Sequence, residues 1–214
     1  MAGRLYRRLP GSRSTSIRNN YLLILLYSYM EIYLIRHTTP SVDAGFCYGT
    51  SDVDVAGSFE EDAARVKGML TPGQYKVISS PLQRCAKLAR YLYGDQFEVD
   101  DRLMEMDFGD WEMKPWDDIS RNALDRWALN IVFERIPGGE TYEELFNRSK
   151  EIFEECLASG EDTVLVTHNG VIRCILAMVT DTPLVDAFGL NMDFGKISII
   201  KYEDKQLELI VSNL

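Results

Sequence analysis

The chain has only two histidines, and both occupy the same kind of place. Each directly follows a short apolar run: Glu31 to Ile35 (EIYLI) leads into Arg36 and His37, and Thr163 to Val166 (TVLV) leads into Thr167 and His168. Runs of this length, rich in β-branched residues, read as strands buried on both faces. Such strands belong to a sheet covered by helices, and the rest of the chain supplies the helices. Ser58 to Leu70 has helical spacing, with Ser58 as N-cap and Glu61 three residues on completing a capping box. Tyr75 to Ile78 is a second short strand, and Pro81 opens a helix that runs through Tyr93. Phe97 to Val99 reads as an edge strand. Helical segments are expected around Trp116 to Leu129 and Thr141 to Leu157, split by Ile136-Pro137-Gly138-Gly139. Another is expected from Gly170 to Val179. Lys196 to Tyr202 and Leu207 to Val211 make a terminal hairpin turning at Glu203-Asp204-Lys205. Strands alternating with helices give the α/β class, a sandwich with a mostly parallel central sheet.

At 214 residues the chain is long enough for one domain with a full core. Its formal charge of -10 repels nucleic acid and anionic lipid, so neither is expected as a partner. A phosphate site in such a chain has to be a local cluster of Arg and His that overrides the global field. Residues 1–29 differ from the rest, with Arg4, Arg7, Arg8, Arg13 and Arg18 and no acid. The apolar stretch Tyr21 to Tyr29 is too short for a membrane helix, and no small-residue cleavage site follows it. Met30 stands directly before the first strand. Residues 1–29 are therefore read as an N-terminal extension: a start assigned too early, a disordered segment or a weak targeting signal. The folded domain is then 30–214, without stable membrane insertion. Cys47, Cys85, Cys156 and Cys174 show no metal-type spacing and read as reduced thiols of a cytoplasmic protein.

In α/β sheets ligands collect beyond the carboxyl ends of the strands, which is where both histidines fall. Arg36 shares the first strand end. Arg84, in Ser79-Ser80-Pro81-Leu82-Gln83-Arg84, lies just past the second strand on the first turn of a helix, where guanidinium and helix N-terminus both suit phosphate oxygens. Two imidazoles and two guanidiniums at three strand ends form a pocket for a doubly charged anion. They also suit in-line attack on phosphorus by a neutral histidine, with the arginines spreading charge on the equatorial oxygens. A proton donor must then meet the leaving oxygen. Glu105 is the candidate, set between apolar residues in an aperiodic stretch with Trp111 and Trp116, where burial raises a carboxyl pKa. Asp107, Asp110 and Glu112 are rivals better read as solvated or capping residues. No P-loop, dinucleotide fingerprint or G-x-S-x-G elbow appears. Two distant histidines make zinc a poor fit, so no metal or cofactor is expected.

In that order, Arg36-His37, Ser80-Pro81-Leu82-Gln83-Arg84, Glu105 before Phe108-Gly109-Asp110-Trp111-Glu112, Pro137-Gly138-Gly139-Glu140 and Val166-Thr167-His168-Asn169-Gly170 resemble the histidine phosphatase (phosphoglycerate mutase-like) superfamily. The resemblance covers Met30 to the C-terminus. It implies a three-layer α/β/α sandwich, His37 as phosphorylated nucleophile, Glu105 as proton donor, and Arg36, Arg84, His168 and Asn169 as phosphate ligands. Thr38 stands where the family usually has glycine, adding bulk and a hydroxyl that can donate to phosphate. Arg36-His37-Thr38-Thr39-Pro40, Gly45-Phe46-Cys47-Tyr48-Gly49, Glu112-Met113-Lys114 and Gly170-Val171-Ile172-Arg173 look most like the bacterial α-ribazole phosphatase branch. That branch implies removal of the 5′-phosphate of α-ribazole phosphate in cobalamin assembly, with Thr38, Thr39, Tyr48 and Gly49 in a substrate loop. Alternatives are a broad sugar-phosphate or nucleotide phosphatase, a mutase-like enzyme, or a non-catalytic phosphate-binding module. The sequence is silent on oligomeric state.

Overall fold

The computed structural model describes residues 29–214, so the reading of residues 1–29 as an extension falls, but for the last of them, outside the described residues. Six strands form one sheet: β1 (Met30–Arg36), β2 (Lys76–Ser79), β3 (Glu98–Val99), β4 (Thr163–Thr167), β5 (Ile197–Glu203) and β6 (Gln206–Val211). Their order is β3-β2-β4-β1-β5-β6. The first four strands in that order run parallel, and the C-terminal hairpin adds β5 and β6 antiparallel beside β1. The hairpin turns on Asp204 (φ 51°) and Lys205 (φ 65°), the two left-handed residues that a tight two-residue turn requires.

Alternation along β1 explains the layers. Ile32 and Leu34 face one side with Ile78, Leu165 and Ile200, while Tyr33 and Ile35 face the other with Val77, Val166 and Ile197. Helices α1 (Phe59–Met69) and α2 (Gln83–Tyr93) cover the second side through Ala63, Val66, Cys85, Leu88 and Ala89. Helices α3 (Arg121–Leu129), α4 (Tyr142–Ser159) and α5 (Asn169–Thr180) cover the first through Trp127, Leu145, Ile152, Val171 and Ile175. A short α6 (Leu184–Ala187) follows. The result is the three-layer α/β/α sandwich with a mostly parallel sheet. No described helix is long and apolar enough to cross a membrane.

Two expectations at helix starts are corrected. Ser58 holds the N-cap position of α1 as expected, but the capping box does not form: with its backbone at φ -80°, ψ 2°, its hydroxyl instead donates to Asp62 Oδ2 at 2.9 Å. The capping box forms at α4, where Thr141 Oγ1 accepts from Glu144 N and Glu144 Oε2 accepts from Thr141 N. Pro81 does not open α2, which begins two residues later at Gln83. Leu82 stays extended, and the Gln83 N–H is satisfied by Asp52 Oδ1 at 2.7 Å from a distant loop. The bend at Pro81–Leu82 leaves the Ser80 hydroxyl on His168 Nε2 at 2.8 Å.

Candidate active site

The ends of β2, β4 and β1 lie side by side, and backbone hydrogen bonds continue past each of them. His37 N donates to Thr167 O at 3.0 Å and Ser80 N to Val166 O at 2.9 Å. Register thus sets Ser80, His168 and His37 in a row. The two imidazole rings are 5.1 Å apart between centroids. His37 Nδ1 lies 2.7 Å from the Thr38 carbonyl, which can only accept, so Nδ1 carries the proton and Nε2 keeps its lone pair. His168 Nε2 pairs with Ser80 Oγ at 2.8 Å. Both rings are sealed, with His37 1% exposed and His168 0%. Burial first, then the positive charge of Arg84, holds both imidazoles well below the usual histidine pKa. At neutral pH each is uncharged, the state in which a histidine attacks phosphorus.

The arginines are more committed to the fold than the sequence suggests. Fully buried Arg84 donates through Nη1 to Ser51 O (2.8 Å) and through Nη2 to Gly49 O (2.6 Å), which leaves only Nε without a partner. Arg36 donates through Nη1 to Met192 O and lies on the Phe194 ring, 3.8 Å from its centroid. Its Nε is also unpaired and buried, as are Thr38 Oγ1 and Asn169 Oδ1. Each such group is costly to bury unpaired, by about 1–3 kcal/mol. Arg36 Nε, Arg84 Nε and the Thr38 hydroxyl are all donors suited to phosphate oxygens. The Thr38 backbone is not left-handed, so its φ does not call for glycine at that position.

Glu105 sits on the loop after the 3-10 turn Asp101–Leu103. Its carboxylate faces the first turn of α5, where Gly170 N donates to Oε1 at 3.1 Å and Oε2 at 3.3 Å. A Cβ on Gly170 would overlap Glu105 Oε1. Together with Arg36, Asn169 and Arg173, Glu105 lines a cavity of about 480 Å³ whose walls are otherwise aromatic and apolar: Tyr48, Phe108, Trp116, Trp127, Tyr142 and Phe188. Gly49 also lines it, whereas Thr39 is exposed and does not. His37, His168 and Arg84 adjoin this cavity only through intermediaries: Arg36 is the next residue to His37, and Tyr48 lies over Arg84 at 5.4 Å.

Three supports of the site were not visible in the sequence. Arg148, on α4, donates to the carbonyls of Arg102, Met104 and Glu105 and pairs with Glu140 at 2.7 Å, so it fixes the backbone of the Glu105 loop. Glu112 is neither solvated nor a cap. Its Oε1 accepts from Thr50 N, Thr50 Oγ1 and Phe108 N, and its Oε2 from Ser51 N and Ser51 Oγ. The Gly49–Ser51 peptide is thus held through its carbonyls by Arg84 and through its N–H groups by Glu112. Phe194 covers His37, with ring centroids 5.4 Å apart. A lone arginine on a helix or a phenylalanine in a loop has no sequence signal that separates such a role from ordinary packing. Asp107 accepts from Gly109 N at 2.8 Å in a local turn, one residue before the N-cap position held by Phe108. Trp111 is core, while Trp116 reaches the cavity.

Comparison with known proteins identifies the family of the chain. Residues 32–214 match the model of the histidine phosphatase superfamily (branch 1). The chain is 27% identical to the "Putative phosphoserine phosphatase 2" of Hydrogenobacter thermophilus, over 86% of this chain and 95% of that one. It is 28% identical to the "Probable phosphoglycerate mutase GpmB" of Salmonella paratyphi C, over 83% and 87%. The crystal structure of the α-ribazole phosphatase from Shigella flexneri superposes with a TM-score of 0.78 at 25% identity, covering 86% of this chain and 96% of that one. The names differ in substrate and agree on chemistry at phosphate esters: the chain belongs to branch 1 of the histidine phosphatase superfamily.

Proposed function

We propose that this chain is a phosphomonoesterase working through a phosphohistidine on His37, and that it hydrolyses α-ribazole 5′-phosphate to α-ribazole and phosphate in cobalamin assembly. His37 Nε2 attacks phosphorus as the bond to the 5′-oxygen breaks, and Glu105 gives its proton to that oxygen. Glu105 then takes a proton from water as the water attacks phosphohistidine, which frees phosphate and returns His37 to its neutral state. Arg36 and Arg84 Nε, with His168, Asn169 and the Thr38 hydroxyl, hold the phosphoryl oxygens through both steps.

The observation that carries the reading is the position of Glu105, on the wall of a cavity that also holds Arg36 and is otherwise aromatic. A proton donor has to reach the oxygen between phosphorus and alcohol, so the alcohol occupies the space beside it. A benzimidazole nucleoside fits aromatic walls of this kind, and a plain sugar does not use them. The test is phosphate release from α-ribazole 5′-phosphate beside a mononucleotide, a sugar phosphate, phosphoserine and 3-phosphoglycerate. The reading expects the highest kcat/KM with α-ribazole 5′-phosphate. A flat profile would make the enzyme a broad phosphatase, and isomerisation of 3-phosphoglycerate without phosphate release would make it a mutase.

A further inference from the structure

Of the two arginines that line the cavity, Arg173 is the one with neither terminal nitrogen bonded to a described residue. Arg36 places one terminal nitrogen on a backbone carbonyl, and Arg84 and Arg148 place both of theirs. Arg173, on the second turn of α5, donates only through Nε, to Leu190 O. Its guanidinium carbon lies 5.0 Å from the Phe188 ring centroid. Among the described residues its two Nη atoms have no hydrogen-bond partner, and neither is sealed from the surroundings. It lines the same cavity as Glu105, Trp127 and Tyr142. The Nε bond and the Phe188 face fix the plane of the guanidinium, so its free donors present a pre-organised fork. A guanidinium in that setting recognises an acceptor lying in its own plane.

We infer that Arg173 is the specificity residue for the departing alcohol, donating to an in-plane ring nitrogen of an aza-aromatic group held between the aromatic walls of the cavity. The inference rests on the phosphomonoesterase reading and sharpens it: the favoured esters are those of nucleoside-like alcohols whose flat ring carries an acceptor on its edge. Glu105 then serves the bridging oxygen and Arg173 the far end of the same alcohol, which fixes the substrate at both ends. The alternative ligand for such a fork is a carboxylate, as in phosphoserine or phosphoglycerate. The aromatic walls favour the ring, because a small carboxylic acid leaves them without contact.

The experiment compares two matched ligands, a benzimidazole riboside and its indole counterpart, in which a C–H replaces the acceptor nitrogen. Their 5′-phosphates are assayed for kcat/KM, and the free ribosides are titrated by calorimetry, which reads the cavity without turnover. Wild-type protein should prefer the benzimidazole compounds by roughly ten- to a hundredfold, the range for one hydrogen bond to a charged donor. Arg173→Met should bring both ratios close to one, and Arg173→Lys should keep part of the preference. Folding of each variant is checked by circular dichroism and thermal melting. Ratios unchanged in Arg173→Met would overturn the inference. So would a loss in Arg173→Met specific to phosphoserine or 3-phosphoglycerate. Failure of the α-ribazole reading has a different signature: wild-type turnover of benzimidazole riboside 5′-phosphate no better than that of ribose 5-phosphate, whatever the riboside titrations give.

Discussion

Replacing Gly170 by alanine tests whether Glu105 is the proton donor by displacing its carboxyl, with Glu105 and every proposed phosphate ligand left chemically unchanged. The added Cβ overlaps Glu105 Oε1 and lies 2.9 Å from Leu145 Cδ2. Leu145 is fully buried in α4, so the carboxylate is the side that yields. Restoring contact distance moves it by roughly 1 Å, and a displacement of that size at a catalytic group costs on the order of 10²-fold in rate. That is about 2.7 kcal/mol in the transition state. Stability should respond differently. Gly170 is the second residue of α5, where alanine gains at most the helix-interior difference of about 0.5–1 kcal/mol, a partial offset to the local repacking. The variant should therefore melt near the wild-type temperature while losing most of its activity. The loss should also depend on the leaving group. An alkyl phosphate needs the donor, so its kcat should fall by the full factor, as it should in Glu105→Ala. An aryl phosphate leaves with little protonation and should lose far less. Steady-state rates with a matched alkyl and aryl pair read this directly. Equal losses on both esters, or full alkyl activity in Gly170→Ala, would refute Glu105 as the acid.

His37→Ala should abolish turnover and leave no acid-labile phosphoprotein after rapid quench with labelled substrate, while His168→Ala should slow phosphoenzyme formation without preventing it. Glu112→Gln removes the charge that gathers five donors and should destabilise the protein by about 2 kcal/mol, lowering the melting temperature by roughly 4–8 °C in calorimetry. Because His37 and His168 are held neutral in the fold, the unfolded chain takes up more protons below pH 6.5, so stability is full above that pH and is lost as pH falls toward the depressed folded values. Denaturation at pH 5 and 7.5 should show a loss of at most about 2 kcal/mol per histidine on acidification, and His168→Asn should shrink it.

Much of this arrangement could be read from the chain alone, because it depends on local order along the sequence. Short apolar runs leading into Arg36-His37 and Thr167-His168 define the strands, and parallel register does the rest by placing their ends together. The helix starts were harder. Ser58 and Pro81 are common starting residues, but in α1 Ser58 holds the N-cap position without its side chain capping, and in α2 Asp52 supplies the cap from 31 residues away. Arg84 illustrates a different limit. Its identity and place suggested a phosphate fork, yet two of its donors are spent on Gly49 and Ser51, contacts that exist only after the 48–52 loop has folded over it. The cavity was the least legible part. Tyr48, Trp127, Tyr142 and Phe188 come from four separate segments, and each alone has the pattern of an ordinary core residue.

The peptide Gly49–Ser51, fixed from both sides by Arg84 and Glu112, limits how a protein of this design diversifies. Gly49 has no room for a side chain, since a Cβ there would meet Glu112, Met106 and Phe108. An insertion or deletion near residue 50 would pull on the Glu105 loop as well, and the two could change length only in concert. New substrate preferences are therefore cheapest to evolve, or to engineer, by exchanging side chains on the helical wall around Trp127, Tyr142 and Arg173, where a substitution leaves the Arg84 and Glu112 ties to residues 49–51 intact.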